Sequence, residues 1–238
     1  MSSLKRFFTD KISDVAVIDG EEFRHAVSVL RIKVGENIII CDNSGFEYTA
    51  TVTSITKKEI LASVKSKNQT DKEANTSVTL IAGYLKGDKT ELIVQKAVEL
   101  GVKKIVVFSS QYSSSYINAN KLSRLNRVSV ESAKQCGRSI APPVVYEETL
   151  EKALKHGENV ENKLFACEFA SSSSVDLQDL KGSTAIVVGS EGGFSESEFE
   201  MAKTLGYKTV YLGKRILRAE TACIVITGIV MNTLEELK

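Results

Sequence analysis

Two segments near the C-terminus concentrate the residues able to do chemistry. The first, Val187-Val188-Gly189-Ser190-Glu191-Gly192-Gly193-Phe194, reads as a buried strand, Thr184 to Val188, running into a glycine-rich turn before Ser195-Glu196-Ser197-Glu198. Glycines at such a turn let the backbone approach a ligand with no Cβ in the way. The plainer reading is a tight strand–helix turn, and a glycine pair alone does not choose between them. The second segment runs from Leu212-Gly213 through Lys214, Arg215, Ile216, Leu217, Arg218 and Glu220 to Thr221-Ala222. A charge cluster is usually a solvated face. Here it lies between a strand end and a helix start, and ligands of open α/β sheets bind beyond the carboxyl ends of strands.

A third segment is the helix expected over 121–138. At 100° per residue Leu122, Leu125, Ser129, Ala133 and Cys136 share one side. Arg124, Arg127, Lys134 and Arg138 share the other. Spacing alone favours an ordinary amphipathic helix with a wet basic face. The functional alternative is a stripe that contacts phosphates.

The elements that must position these residues fall into two grammars. Phe46, Tyr48, Ala50 and Val52 alternate with polar residues, as in a half-buried strand. Asn37 to Cys41 precedes it across the turn signal Asp42-Asn43-Ser44-Gly45, and Ile60, Ala62 and Val64 alternate again. Close-spaced short strands predict a small β-barrel. The stretch 66–77 holds one apolar residue, Ala74, and reads as a linker, dividing the chain into 1–70 and 71–238. Beyond it strands and helices alternate. Val78 to Tyr84, Lys104 to Phe108, Lys163 to Cys167, Thr184 to Val188 and Thr209 to Leu212 read as strands. Asp88 with Glu91 is a candidate cap for a helix closed by Gly101. Ser195 with Glu198 opens a helix ending near Gly206, and Thr221 to Leu237 is the last helix. The alternation predicts a parallel sheet covered by helices.

Composition sets limits. Apolar residues make up 42% and charged residues 26%, ordinary for a soluble globular chain. No run approaches the roughly 20 apolar residues of a membrane span, and no secretory signal is visible, so a cytoplasmic protein is expected. The four cysteines form no CxxC pair and read as reduced thiols. His25 and His156, the only histidines, lack neighbours at metal-ligand spacing, so no metal is expected. A net charge of +1 excludes a globally basic nucleic-acid binder and leaves room for a local basic patch. The glycine loops follow the last two strands rather than the first, which argues against a dinucleotide fold.

These motifs carry a resemblance. Lys86-Gly87-Asp88 leading to Gln95-Lys96-Ala97-Val98-Glu99-Leu100-Gly101, then Gln135-Cys136-Gly137-Arg138, Gly189 to Gly193 and Leu212 to Ala222 occur in the order of the ribosomal RNA small subunit methyltransferase E family. His25 to Arg31 resembles its HxxxVLR segment. The chain resembles that family, of the SPOUT class, over nearly its whole length. Two positions depart from its pattern. Ser190 stands where the loop usually reads GPEGG, and Tyr112 where an arginine is common.

The resemblance implies a PUA-like β-barrel that binds RNA, followed by a trefoil-knotted α/β domain whose knot holds S-adenosylmethionine. It implies a homodimer that methylates N3 of a uridine in small-subunit (16S) rRNA, free or assembled. Gly189, Ser190, Glu191, Gly192 and Gly193 would hold the ribose and methionine part of the cofactor. Leu212, Gly213, Ile216, Leu217, Thr221 and Ala222 would complete the pocket, with the adenine on the backbone of Leu212, Gly213 and Leu217. Arg138 or Arg218 would stabilise the N3 anion, and Glu220 or Glu191 would accept the proton. Glu220 has a plainer reading too, as a helix-start carboxylate bonded to backbone N–H groups or paired with Arg218. Arg24, Arg31, Arg124, Arg127 and Lys134 are the candidate phosphate contacts. Ile224, Val225, Ile226, Ile229, Val230, Met231 and Leu234 surround the last helix with apolar groups and make it the candidate dimer face. Two other functions suit the residues: a non-catalytic rRNA-binding or ribosome-assembly protein, and a SPOUT methyltransferase acting on ribose 2′-oxygen.

Overall fold

The computed structural model describes residues 4–111, 117–167 and 175–238. It divides into two units, one formed by Met1–Glu73 with Ala133–Ala141, the other by Ala74–Ser132 with Pro142–Lys238.

The first unit is a curled five-stranded sheet. Its strands are β1 (Lys5–Phe8), β2 (Val15–Ile18), β3 (Asn37–Cys41), β4 (Phe46–Ile55) and β5 (Ile60–Gln69), in the order β1-β3-β4-β5-β2. β1 runs parallel to β3, and the other pairs are antiparallel. Alternation along β4 buries Tyr48, Ala50 and Val52 with Phe7, Ile38, Ile40, Ile60 and Ala62. The Asp42–Gly45 turn forms as its residues dictate: Asn43 and Gly45 take positive φ (61° and 88°), and the Asp42 carboxylate accepts the Ser44 amide. Among the described residues no ladder joins β1 to β2, so the expected barrel is a curled sheet with β1 and β2 as its edges. The sequence patterns missed β1, β2 and the helix α1 (Gly20–Ser28), the two strands being only four residues long.

The second unit carries a six-stranded sheet, every pairing of which is parallel. The strands are β6 (Val78–Gly83), β7 (Lys104–Phe108), β8 (Val144–Glu147), β9 (Asn162–Ala166), β10 (Thr184–Val188) and β11 (Lys208–Val210), in the order β11-β9-β10-β6-β7-β8. The helices are α2 (Lys89–Glu99), α3 (Ala119–Cys136), α4 (Leu150–Leu154), α5 (Glu196–Thr204) and α6 (Ala219–Thr233). Central β6 and β10 are buried at every residue, which is why they read as unbroken apolar runs. After edge strand β11 the chain doubles back, and α6 packs on β10, β6 and α2. β8 and α4, both short, escaped the sequence patterns.

Two local expectations need correction. Asp88 does not cap α2: its backbone (φ −87°, ψ 3°) lies outside the extended region a capping residue needs, and its side chain accepts no capping bond. Thr90 holds that turn instead, its buried hydroxyl bonded to both the amide and the carbonyl of Leu85. The last helix ends at Thr233, earlier than Leu237, with Glu235 in the left-handed region and the Glu236 carboxylate accepting the amides of Asn75 and Thr76. The Ser195–Glu198 capping box forms with both of its bonds.

Candidate active site

The carboxyl ends of β9, β10 and β11 open onto a cavity of about 730 Å³. Its walls are the turn after β10, Gly189 to Phe194, and the segment from Val210 to Glu220 that links β11 to α6. Cys167, Lys89 and Ala222 complete it. The size lies within the range of about 300–1,000 Å³ usual for small-molecule and cofactor sites.

The β10 turn is folded by its own chemistry. The Gly193 amide donates to the Ser190 carbonyl at 2.9 Å, and Gly193 takes φ 66°, where a side chain would be strained. The turn rides over the end of β6. A Cβ added at Gly83 would lie 2.8 Å from the Gly189 carbonyl carbon and 2.9 Å from the Ser190 Cα, so only glycine fits there. The sequence reading passed over Gly83, since a single glycine ending an apolar run gives no sign of what crosses it.

The structure brings together most of the residues singled out in the sequence. Gly189, Ser190, Glu191, Gly192, Gly193, Leu212, Gly213, Ile216, Leu217 and Ala222 line the cavity, with Arg218 and Glu220. Thr221 is exposed and is not among the lining residues. Tyr211, Lys214, Arg215, Phe194 and Lys89 also line it; the first four lie inside or beside the two segments already suspected, while Lys89 carried no signal. Among the described residues no group of His, Cys, Asp and Glu could hold a metal ion.

The two carboxylates of the cavity differ. Glu191 is held by Lys89 at 3.1 Å. Burial raises its carboxyl, but its own backbone amide and the Lys89 ammonium outweigh burial and leave the pKa below the usual carboxylate value. Glu220, in the first turn of α6, has a buried Oε2 with no hydrogen-bond partner among the described residues. Among the described residues no backbone bond and no ion pair to Arg218 is seen for this carboxylate, although it stands in the first turn of α6. Arg218 caps α6 only through its backbone, and its exposed side chain has no ion-pair partner among the described residues. Ile216 is 86% exposed, an unusual place for isoleucine in a segment lining a cavity.

Arg138 is not brought to the cavity. Its side chain is 3% exposed, and its Nε and Nη2 both donate to Glu73 Oε2. Glu73 Oε1 accepts the amides of Ser139 and Ile140, so the pair braces the turn after α3. The sequence could not show this because Glu73 lies 65 residues away.

The candidate phosphate contacts also separate. Arg24 is exposed with only a 3.8 Å approach to Glu21, and Arg31 is exposed at φ 49°, a left-handed conformation that arginine seldom adopts. Arg127 is exposed, and Arg124 is exposed but bonded to Glu91 at 2.6 Å. Lys134 corrects the reading of a wet stripe: its side chain is 8% exposed and its ammonium meets Glu22 at 2.6 Å. Tyr112 lies outside the described residues.

A parallel sheet with a cavity between two loops at its carboxyl edge is the cofactor-binding arrangement of an open α/β domain, and the family matches define its class as an RNA methyltransferase. Residues 72–231 match the family described as RNA methyltransferase domain, and residues 18–65 match the RNA methyltransferase PUA domain. The chain is 34% identical over 227 residues to ribosomal RNA small subunit methyltransferase E of Mesomycoplasma hyopneumoniae, covering 92% of this chain and 95% of that one. It is 31% identical over 217 residues to the protein of the same name from Bacillus subtilis, covering 86% and 85%. A crystal structure of ribosomal RNA small subunit methyltransferase E from Neisseria gonorrhoeae bound to S-adenosyl methionine superposes with a TM-score of 0.85 at 30% identity, over 98% of each chain. The chain belongs to the ribosomal RNA small subunit methyltransferase E family.

Proposed function

We propose that this chain methylates N3 of a uridine in small-subunit rRNA, with S-adenosylmethionine held in the cavity between the β10 turn and the β11–α6 segment. The observation that carries the residue assignment is Glu220, a carboxylate with an unpartnered buried oxygen on the wall of a cavity that also presents Arg218. The cofactor fits these residues: the volume is adequate, and the Gly213 turn (φ 98°) leaves its Cβ space open. When bound, S-adenosylmethionine supplies an electrophilic methyl group on a sulfonium.

The chain's own task is then orientation and charge. Uracil N3 bears a weakly acidic proton and must lose it before it can attack. Glu220 accepts that proton, and Arg218 faces the charge that spreads onto the flanking carbonyl oxygens. Glu191, whose charge is already committed to Lys89, serves as a tether of the turn. Arg138 braces its own turn and takes no part in the chemistry. Methyl transfer is an orientation problem, and the residues of the two walls, Gly189 to Gly193 and Leu212 to Leu217, would hold the cofactor for it.

Phosphate contacts fall to Arg24 and Arg31 of the first unit and Arg124 and Arg127 of α3, each worth about one unit of salt slope. The protein works in the cytoplasm as a homodimer. α6 supports this: Cys223, Ile226, Val230 and Met231 are buried, yet Val225 and Ile229 remain 38% and 41% exposed, and α2, which packs against α6, leaves Leu92 38% exposed. A second copy would cover that patch.

Nucleoside mass spectrometry of small subunits from cells lacking the protein, treated with it and S-adenosylmethionine, tests the reading. N3-methyluridine is expected. Ribose methylation, or binding without methyl transfer, would replace it with one of the two other functions.

A further inference from the structure

Three consecutive residues after β7 reach in three directions. The Ser109 hydroxyl bonds the Tyr146 hydroxyl of β8 at 2.8 Å. The Ser110 hydroxyl bonds the Ser190 hydroxyl in the β10 turn at 2.8 Å, with both residues buried. The Gln111 amide donates to Glu198 Oε1 of α5, while Glu198 Oε2 accepts the Ser195 amide of the capping box. Ser109 to Gln111 thus forms a strap from β8 across the sheet edge to the start of α5.

We propose that this strap sets the position of the cofactor-binding turn, and that Ser110 is a positioning residue acting through Ser190. The turn needs such help. Gly189, Gly192 and Gly193 have no side chains to pack, and a glycine-rich backbone loses more conformational freedom on ordering than any other. Its other side-chain tether, Glu191 to Lys89, is 42% and 37% exposed and therefore weak and salt-screened. The Ser110–Ser190 bond lies at 7% and 6% exposure, where replacing Ser110 by alanine strands the Ser190 hydroxyl away from water. Position 190 is also where a proline ring would otherwise restrict the backbone, so here a hydrogen bond does the restricting. Ser110 does not line the cavity, so an effect on cofactor binding from position 110 must be transmitted.

The inference rests on S-adenosylmethionine binding in the β10 cavity. Calorimetry on the full-length protein separates the two: if the parent does not bind S-adenosylmethionine, that reading fails before the strap is reached. With a binding parent, Ser110→Ala should raise the Kd for S-adenosylmethionine about tenfold, the lower part of the range for a stranded buried hydroxyl. The Kd for rRNA fragments should stay within twofold. Ser190→Ala should give a similar loss, and Ser110→Ala with Ser190→Ala should be no weaker than either alone, because both hydroxyls are gone. A merely structural bond would lower the melting temperature without moving the cofactor Kd. Parental affinity in Ser110→Ala, or losses that add in the double variant, overturn the proposal. If Ser110→Ala does not fold, Ser190→Ala removes the same bond from the other side, and a Kd within twofold of the parent overturns it.

Discussion

Gly83→Ala is the sharpest probe of how the site is built. The substitution adds one methyl group at the end of β6, directly under the β10 turn. That carbon would sit 2.8 Å from the Gly189 carbonyl carbon and 2.9 Å from the Ser190 Cα, with the Ser190 amide nitrogen nearer still. All three are backbone atoms, so no side chain can swing aside. Ordinary carbon contacts begin near 3.5 Å, so the turn must lift by about 0.7 Å to clear the carbonyl carbon at 2.8 Å. That exceeds the tolerance of roughly 0.5 Å within which a productive constellation must be held. Overpacking should cost about 1–3 kcal/mol of stability. The larger effect should be on function: a misplaced turn should lower the single-turnover rate of methyl transfer by about ten- to a hundredfold. The assay is single-turnover transfer to small subunits, with the melting curve recorded to confirm folding at the assay temperature. A folded Gly83→Ala protein with the parental rate and cofactor affinity would refute the claim that the turn rides on this glycine.

Glu220→Gln should slow methyl transfer by about 10²–10⁴-fold at neutral pH. Its rate should climb toward the parental one as pH rises, because uracil N3 then ionises without help; a flat pH profile would remove Glu220 from the proton transfer. Arg218→Ala should reduce the single-turnover rate by about 10²-fold or more while sparing the fold and the cofactor Kd, and an unchanged rate would end its assignment. Glu73→Ala removes the carboxylate that meets the buried Arg138 guanidinium and should destabilise the protein by about 3–5 kcal/mol in urea unfolding; a loss under 1 kcal/mol would mean that this pair contributes little to stability. Val225→Glu with Ile229→Glu should convert a dimer to a monomer in sedimentation at micromolar concentration, whereas dimers that persist would put the interface elsewhere.

How much of this was legible from residues alone depended on the range of the interaction. Local signals translated directly. The Ser195–Glu198 box, the Asp42–Gly45 turn, the apolar runs of β6 and β10 and the two glycine-bearing segments each record contacts within a few residues. The carboxyl-end position of both segments followed from strand–helix alternation, so most of the cavity wall could be named before any coordinates. What the sequence left undecided was partnership. Arg138 and Lys134 looked like members of one basic face, yet Glu73 and Glu22, 65 and 112 residues away, bury both. Asp88 and Ser195 each preceded an acidic residue three positions on, and only the backbone angles told which one caps. Glu191 and Glu220 were both candidates until Lys89 claimed the first and burial left Oε2 of the second without a hydrogen-bond partner among the described residues. Gly83 gave no signal, because the constraint on it is the backbone of residues 189–190 crossing above. Residue type and spacing fix propensity and period, which are local. Which charges meet, which glycines are obligatory and which hydroxyls are buried together depend on approaches between segments far apart in the chain, and those are settled only when the sheet closes its order and the loops at its carboxyl edge are pressed against one another.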